Sequence, residues 1–129
     1  YDVELDRDWT ARSSAGGSAL ADEEAWTPEH LVLAGLCRCV LTSLRHHAGR
    51  AGLTATASAV AHGEVTRREE DGRFALVSVT ARIDASFDPE PAAETLAEVL
   101  AKAERDCFVG ASLRVVPTYR FTVNGREIP

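Results

Sequence analysis

The sequence predicts an α+β fold with a mainly antiparallel sheet, and three features carry that expectation. Thr27-Pro28-Glu29 opens a long apolar helix, Asp71-Gly72 lies between two strand-like runs, and a second helical segment begins at Asp88-Pro-Glu-Pro. The element order reads β(β)-α-β-β-α-β. Hairpin connections pair strands antiparallel, which sets this chain apart from doubly wound folds. A length of 129 residues suits one domain spanning 1–129. With 45% hydrophobic residues the chain can bury a core.

Each element has a local cause. Val3 to Trp9 alternates Val, Leu and Trp with polar residues, as a half-buried strand does. Ser13-Ser-Ala-Gly-Gly-Ser is a turn, so this strand is expected to fold back through Ala19 to Ala21. Thr27 can cap the first helix, Pro28 fits its first position, and Glu29 meets its positive end. The helix is expected to run to about His47, with Gly49 and Gly52 beyond it. It is apolar around much of its circumference from Leu31 to Leu44, which predicts a central, buried position. Thr54–Glu69 and Arg73–Phe87 then form a hairpin about Asp71-Gly72. The second helix is expected from Asp88 to about Glu104, with Leu96, Val99, Leu100 and Ala103 as its apolar stripe. Leu113 to Val123 reads as the last strand.

Bulk properties exclude some functions. A net charge of -6 argues against nucleic-acid binding, which usually needs a basic face. No apolar run approaches the ~20 residues that span a bilayer, so no membrane partner is expected. No signal peptide is visible. Three cysteines are too few for a disulfide scaffold, and an odd count fits a reducing cytosol.

The cysteines carry the chemistry. Cys39 lies within the apolar first helix, and Cys107 lies where the second helical segment ends. Cys37 and Cys39 are about 200° apart around a helix, so they face nearly opposite ways. At most one of them can work with Cys107. A reactive thiol needs its thiolate stabilised by a cation, a helix N-terminus or a hydrogen bond. Cys39 is mid-helix, so a neighbouring cation is required, and Arg12 is the first candidate, ahead of Arg38 and Arg7. The bland alternative is that the thiols pack as small hydrophobes. His46 and His47 follow the two cysteines, but Cys39 and His46 are about 10 Å apart along the axis. One zinc ion holds its ligands at about 2.0–2.3 Å, so no metal site is expected. His30 and His62 are expected to be surface or capping residues.

These residues resemble the OsmC/Ohr family of bacterial thiol peroxidases. Pro28-Glu29-His30-Leu31 is similar to the family's Pro-Glu-x-Leu helix start, and Ala34-Gly35 continues it. Cys39, followed by Val40-Leu41, is in register with the peroxidatic cysteine, and Cys37 is an extra. Cys107-Phe-Val-Gly-Ala-Ser-Leu resembles the second motif, a cysteine at the end of the second helix followed by small residues. The resemblance covers nearly the whole chain. It implies an intertwined homodimer in which strands of both chains wrap two long central helices. It also implies that Glu29 helps hold a catalytic arginine near Cys39. Ten residues of one helix span about 15 Å, so Glu29 would come from the partner chain.

The implied reaction is reduction of organic hydroperoxides, with hydrogen peroxide a poorer substrate. Cys39 would become a sulfenic acid and then a disulfide with Cys107, which an external thiol reductant would reset. Leu36, Val40 and Phe108 would be the apolar walls of the substrate pocket. No cofactor is implied. The chain departs from the family before the first helix, where Ala19 to Trp26 holds no arginine but the acidic run Asp22-Glu23-Glu24. That departure supports an alternative, a redox sensor or small apolar ligand-binding protein with little turnover. A structural dimer with inert thiols would instead show slow labelling of all three cysteines.

Overall fold

The computed structural model describes residues 1–129. They form two compact units, 1–32 and 33–129, with the boundary inside the first helix. In chain order the elements are β1 (Val3–Leu5), β2 (Ala11–Ser13), α1 (Pro28–Arg50), β3 (Thr54–Arg67) and β4 (Phe74–Asp88). Then come α2 (Ala93–Arg105), α3 (Phe108–Ser112), β5 (Thr118–Val123) and β6 (Arg126–Ile128).

In the first unit β1 and β2 pair antiparallel, with Val3 opposite Ser13. The first strand is shorter than its alternation suggests. Trp9 N–H turns back to Asp6 C=O at 2.9 Å, and Trp9 takes a φ of 68°. The chain returns as expected near Ala19–Ala21, but only as a single bridge between Leu20 and Ala11. Thr27 caps α1, its Oγ1 accepting the His30 N–H at 3.4 Å. Oγ1 also lies 2.6 Å from His30 Nδ1, so this histidine serves the cap.

The second unit is one sheet in the order β3-β4-β5-β6. The β3–β4 hairpin runs from Thr54 opposite Asp88 to Arg67 opposite Phe74, with a bulge at Glu64/Val65. At its tip Gly72 adopts a φ of 71°, a conformation glycine takes without steric cost. The β3–β4 and β5–β6 ladders are antiparallel, but β4 and β5 pair parallel. The segment from α2 through α3 carries the chain back between these two strands, and a parallel neighbour needs such a crossover. Asn124 and Gly125, with φ of 48° and 81°, make the tight turn into β6. The second helix begins at Ala93 rather than Asp88 because β4 continues through Asp88, and Pro89 and Pro91 follow.

The core lies between the helices and one sheet face. Val79, Ala81, Ile83, Ala85 and Phe87 alternate inward along β4. On α1 the buried stripe is Leu36, Val40, Leu44 and Ala48, each one turn from the next. Val99, Leu100 and Ala103 of α2 and Phe121 and Val123 of β5 complete it. The matching row of β3 is Ala55, Ala57, Ala59, Ala61 and Gly63, with no large side chain. A Cβ on Gly63 would come within 3.2 Å of the Leu33 side chain, so helix and strand approach closely there. Away from the sheet core, Ala34, Cys37 and Leu41 border a hollow of about 640 Å³ with Ala59. The apolar circumference of α1 is therefore only partly covered within residues 33–129.

Candidate functional site

Helix α1 sends its two cysteines in different directions. Cys37 faces β3, where the Ala61 backbone N–H partly offsets the effect of burial, which pushes this thiol up. Cys39 faces the start of α3, and its Sγ accepts the Val109 N–H at 3.4 Å. Cys107 precedes α3 as its N-cap residue and is 0% exposed. All three cysteines are free. The fold thus brings Cys39 and Cys107 together and turns Cys37 away.

Burial pushes the Cys107 thiol up, because the thiolate loses hydration. The Tyr119 hydroxyl and the Gly110 N–H pull it down by hydrogen bonding, and the neighbouring Cys39 sulfur pushes it up again. The Val109 N–H thus serves the Cys39 sulfur, and the adjacent Gly110 N–H favours the Cys107 thiolate. Tyr119 is pushed up, first by burial and then by Cys107, which keeps its hydroxyl protonated. Gly110 makes room for this arrangement. A Cβ there would overlap Tyr119 Oη and stand 3.4 Å from Cys107 Sγ.

Beside Cys39 lies a cleft of about 370 Å³, lined by Cys39, Thr42, Ser43, His46, His47, Asp106 and Phe108. Cys39, Thr42, Ser43 and His46 follow the i, i+3, i+4, i+7 spacing of one helix face. Ser43 Oγ is buried without a hydrogen-bond partner. At the other wall His47 Nε2 meets Asp106 Oδ2 at 2.8 Å, tying α1 to the residue before Cys107. Arg105 reaches the same carboxylate with two contacts of 2.8 Å. Arg105, and more weakly His47, hold the Asp106 carboxyl down to about 2.

A pH dependence follows. A carboxyl depressed in the folded state stabilises the fold above its unfolded pKa of about 3.9, and the contribution fades as pH falls through the folded value. Asp106→Asn is expected to lower Tm by a constant amount above about pH 4. That gap should close as the pH approaches about 2, as thermal melts in buffers of equal ionic strength would show.

Of the residues expected to form the site, Cys39, Cys107 and Phe108 meet here. Leu36 and Val40 do not line the cleft. Both are 0% exposed, because their stripe of α1 faces the sheet rather than the Cys39 side. Arg12 lies on β2 and pairs with the Asp6 carboxylate. Glu29 sits exposed in the first turn of α1. Sequence reasoning missed Val109, Gly110, Tyr119, His47 and Asp106. Tyr119 shares the inward row of the last strand with Phe121 and Val123, a visible signal. The backbone donors had none.

Comparison with known proteins places the fold. A family model described as OsmC-like protein matches residues 21–120. Among curated proteins none matches. An OsmC-like protein of Mycoplasma pneumoniae superposes with a TM-score of 0.74 at 18% identity, over 95% of this chain and 96% of that one. An OsmC-like protein of unknown function from Vibrio cholerae gives 0.74 at 17% identity, over 88% and 82%. The organic hydroperoxide resistance protein OhrB of Bacillus subtilis gives 0.58 at 18% identity, over 95% of each chain. The α+β architecture is thus shared with OsmC-like and hydroperoxide-resistance proteins alike, and with the family model spanning most of its length this chain belongs to the OsmC-like family.

Proposed function

We propose that this chain is a cysteine-based peroxidase that reduces organic hydroperoxides in oxidative-stress defence. The observation that carries this reading is the meeting of Cys39 and Cys107 at the start of α3, with the Val109 N–H on the Cys39 sulfur and a cleft beside it. Fold similarity to a protein named for organic hydroperoxide resistance supports it.

In the proposed cycle the Cys39 thiolate attacks the outer oxygen of the hydroperoxide. The O–O bond breaks, the alkoxide leaves and takes a proton, and Cys39 becomes a sulfenic acid. Cys107 displaces the hydroxyl as water and forms the disulfide. An external dithiol then reduces it by exchange. The Val109 N–H holds the Cys39 sulfur at the start of α3, next to Cys107. The Phe108 ring at the cleft favours an organic tail over hydrogen peroxide.

The working unit is proposed to be a homodimer in the cytoplasm. Phe108 is 77% exposed in the single chain, and Ala34, Cys37 and Leu41 of α1 border an open hollow that Arg38, Thr42 and Arg45 also line. No helix is long and apolar enough to cross a membrane. Arg12 and a partner-chain Glu29 are proposed to complete the site.

The test is oxidation of reduced protein with one equivalent of cumene hydroperoxide, with hydrogen peroxide in parallel, followed by disulfide mapping by mass spectrometry. A rapid Cys39–Cys107 bond, faster with the organic oxidant, is expected. Thiols that stay reduced with both oxidants would end the peroxidase reading and favour a ligand-binding role.

A further inference from the structure

Tyr119 reaches the site from the sheet rather than from either helix that carries a cysteine. Strand β5 turns Tyr119 inward in the same row as Phe121 and Val123, both core residues. Its hydroxyl ends in a notch that exists because residue 110 is glycine, and Cys107 Sγ borders the same notch. Cys107 is wholly buried, so bulk water does not solvate its thiolate.

We propose, building on the peroxidase reading, that Tyr119 is a catalytic residue of the resolving step, its hydroxyl donating to Cys107 sulfur while that sulfur attacks Cys39. The step balances without another reagent. The Cys107 S–H bond breaks, the S–S bond forms, and the S–O bond of the Cys39 sulfenic acid breaks. The departing hydroxide takes the thiol proton and leaves as water. Tyr119 keeps its own proton throughout. Burial and the surrounding Cys107, Cys39 and Glu104 oppose its ionisation. The same hydrogen bond stabilises Cys107 as a leaving group when the reductant opens the disulfide.

The groups that face Cys107 from the packed elements are Cys39 on α1, the Gly110 N–H on α3 and Tyr119 on β5. The Tyr119 hydroxyl is the side-chain donor among them. Removing it leaves a buried thiol with one backbone donor. Attack on the sulfenic acid then slows, because the thiolate is the nucleophile.

The test uses Tyr119→Phe, which deletes one oxygen and keeps the ring. After one equivalent of cumene hydroperoxide, dimedone trapping is expected to catch Cys39 sulfenic acid for about tenfold longer than in the wild type. Peroxide consumption in the first turnover should change far less than disulfide formation. Disulfide formation in the variant should recover as the pH is raised, a shift that loss of packing alone would not produce. A second measurement needs no peroxide. In Cys37→Ser/Cys39→Ser protein the thiolate absorbance of Cys107 is titrated with and without Tyr119→Phe, and the midpoint is expected to rise in the Phe variant. An unchanged midpoint, or an unchanged disulfide rate and pH profile, would overturn the proposal. A raised midpoint in a chain whose wild type forms no sulfenic acid would uphold the hydrogen bond and refute the peroxidase reading.

Discussion

Cys39→Ser is expected to lower hydroperoxide turnover by roughly 10³-fold or more, the scale of loss when a nucleophile is removed. The fold should persist. Serine is slightly smaller, Cys39 is only partly buried, and the Val109 N–H can donate to a hydroxyl as it does to sulfur. Cys107→Ser should behave differently. Its first equivalent of hydroperoxide is still consumed, and sulfenic acid then accumulates because no internal thiol removes it. Cys37→Ser should leave turnover close to wild type, since Cys37 faces β3 rather than the cleft. Steady-state peroxidase assays with a dithiol reductant separate the three. Equal losses in Cys37→Ser and Cys39→Ser would contradict this assignment.

Gly110→Ala is expected to be the most damaging of the small substitutions. A Cβ there would overlap Tyr119 Oη, with Cys107 Sγ 3.4 Å away on the same notch. Overpacking a filled site costs about 1–3 kcal/mol, and here the displaced atoms are those of the proposed reaction. Stability and disulfide formation should fall together. The residue has no positive φ, so the backbone itself accepts alanine. Adding Tyr119→Phe removes the overlapping oxygen and leaves the ring carbon that bore it at 3.4 Å, an ordinary contact. The double variant should regain most of the lost stability but keep the slow resolving step. Chemical denaturation of the four proteins gives the coupling directly.

Much of this architecture is legible in the residues. The Thr27-Pro28-Glu29 start of α1 and the long β3–β4 hairpin are written in cap chemistry and two-residue alternation, which act locally. Cys37 and Cys39 diverge as helical rotation requires. The five-residue α3 is too short for periodicity to reveal, although it supplies both backbone donors. The β6 strand follows the Asn124-Gly125 pair, a local turn signal. The parallel β4–β5 pairing is a property of the whole crossover, and no local pattern encodes it. His47 and Asp106 meet only because the end of α2 returns to α1. Helical spacing measured against a single metal ion could not find that pair.

The alanine row of β3 has a consequence for how this site could drift over time. Methyl groups and one glycine set the gap between that strand and α1, and α1 carries Cys39. The row works as a shim. A larger side chain along it would press on α1, most directly at Gly63, where a Cβ would already stand 3.2 Å from Leu33. The sulfur would move with the helix while its counterpart at the start of α3 stayed behind. The gap between the two thiols is thus governed by residues with no reactive group. Variation there would register as a change in redox rate together with a loss of stability.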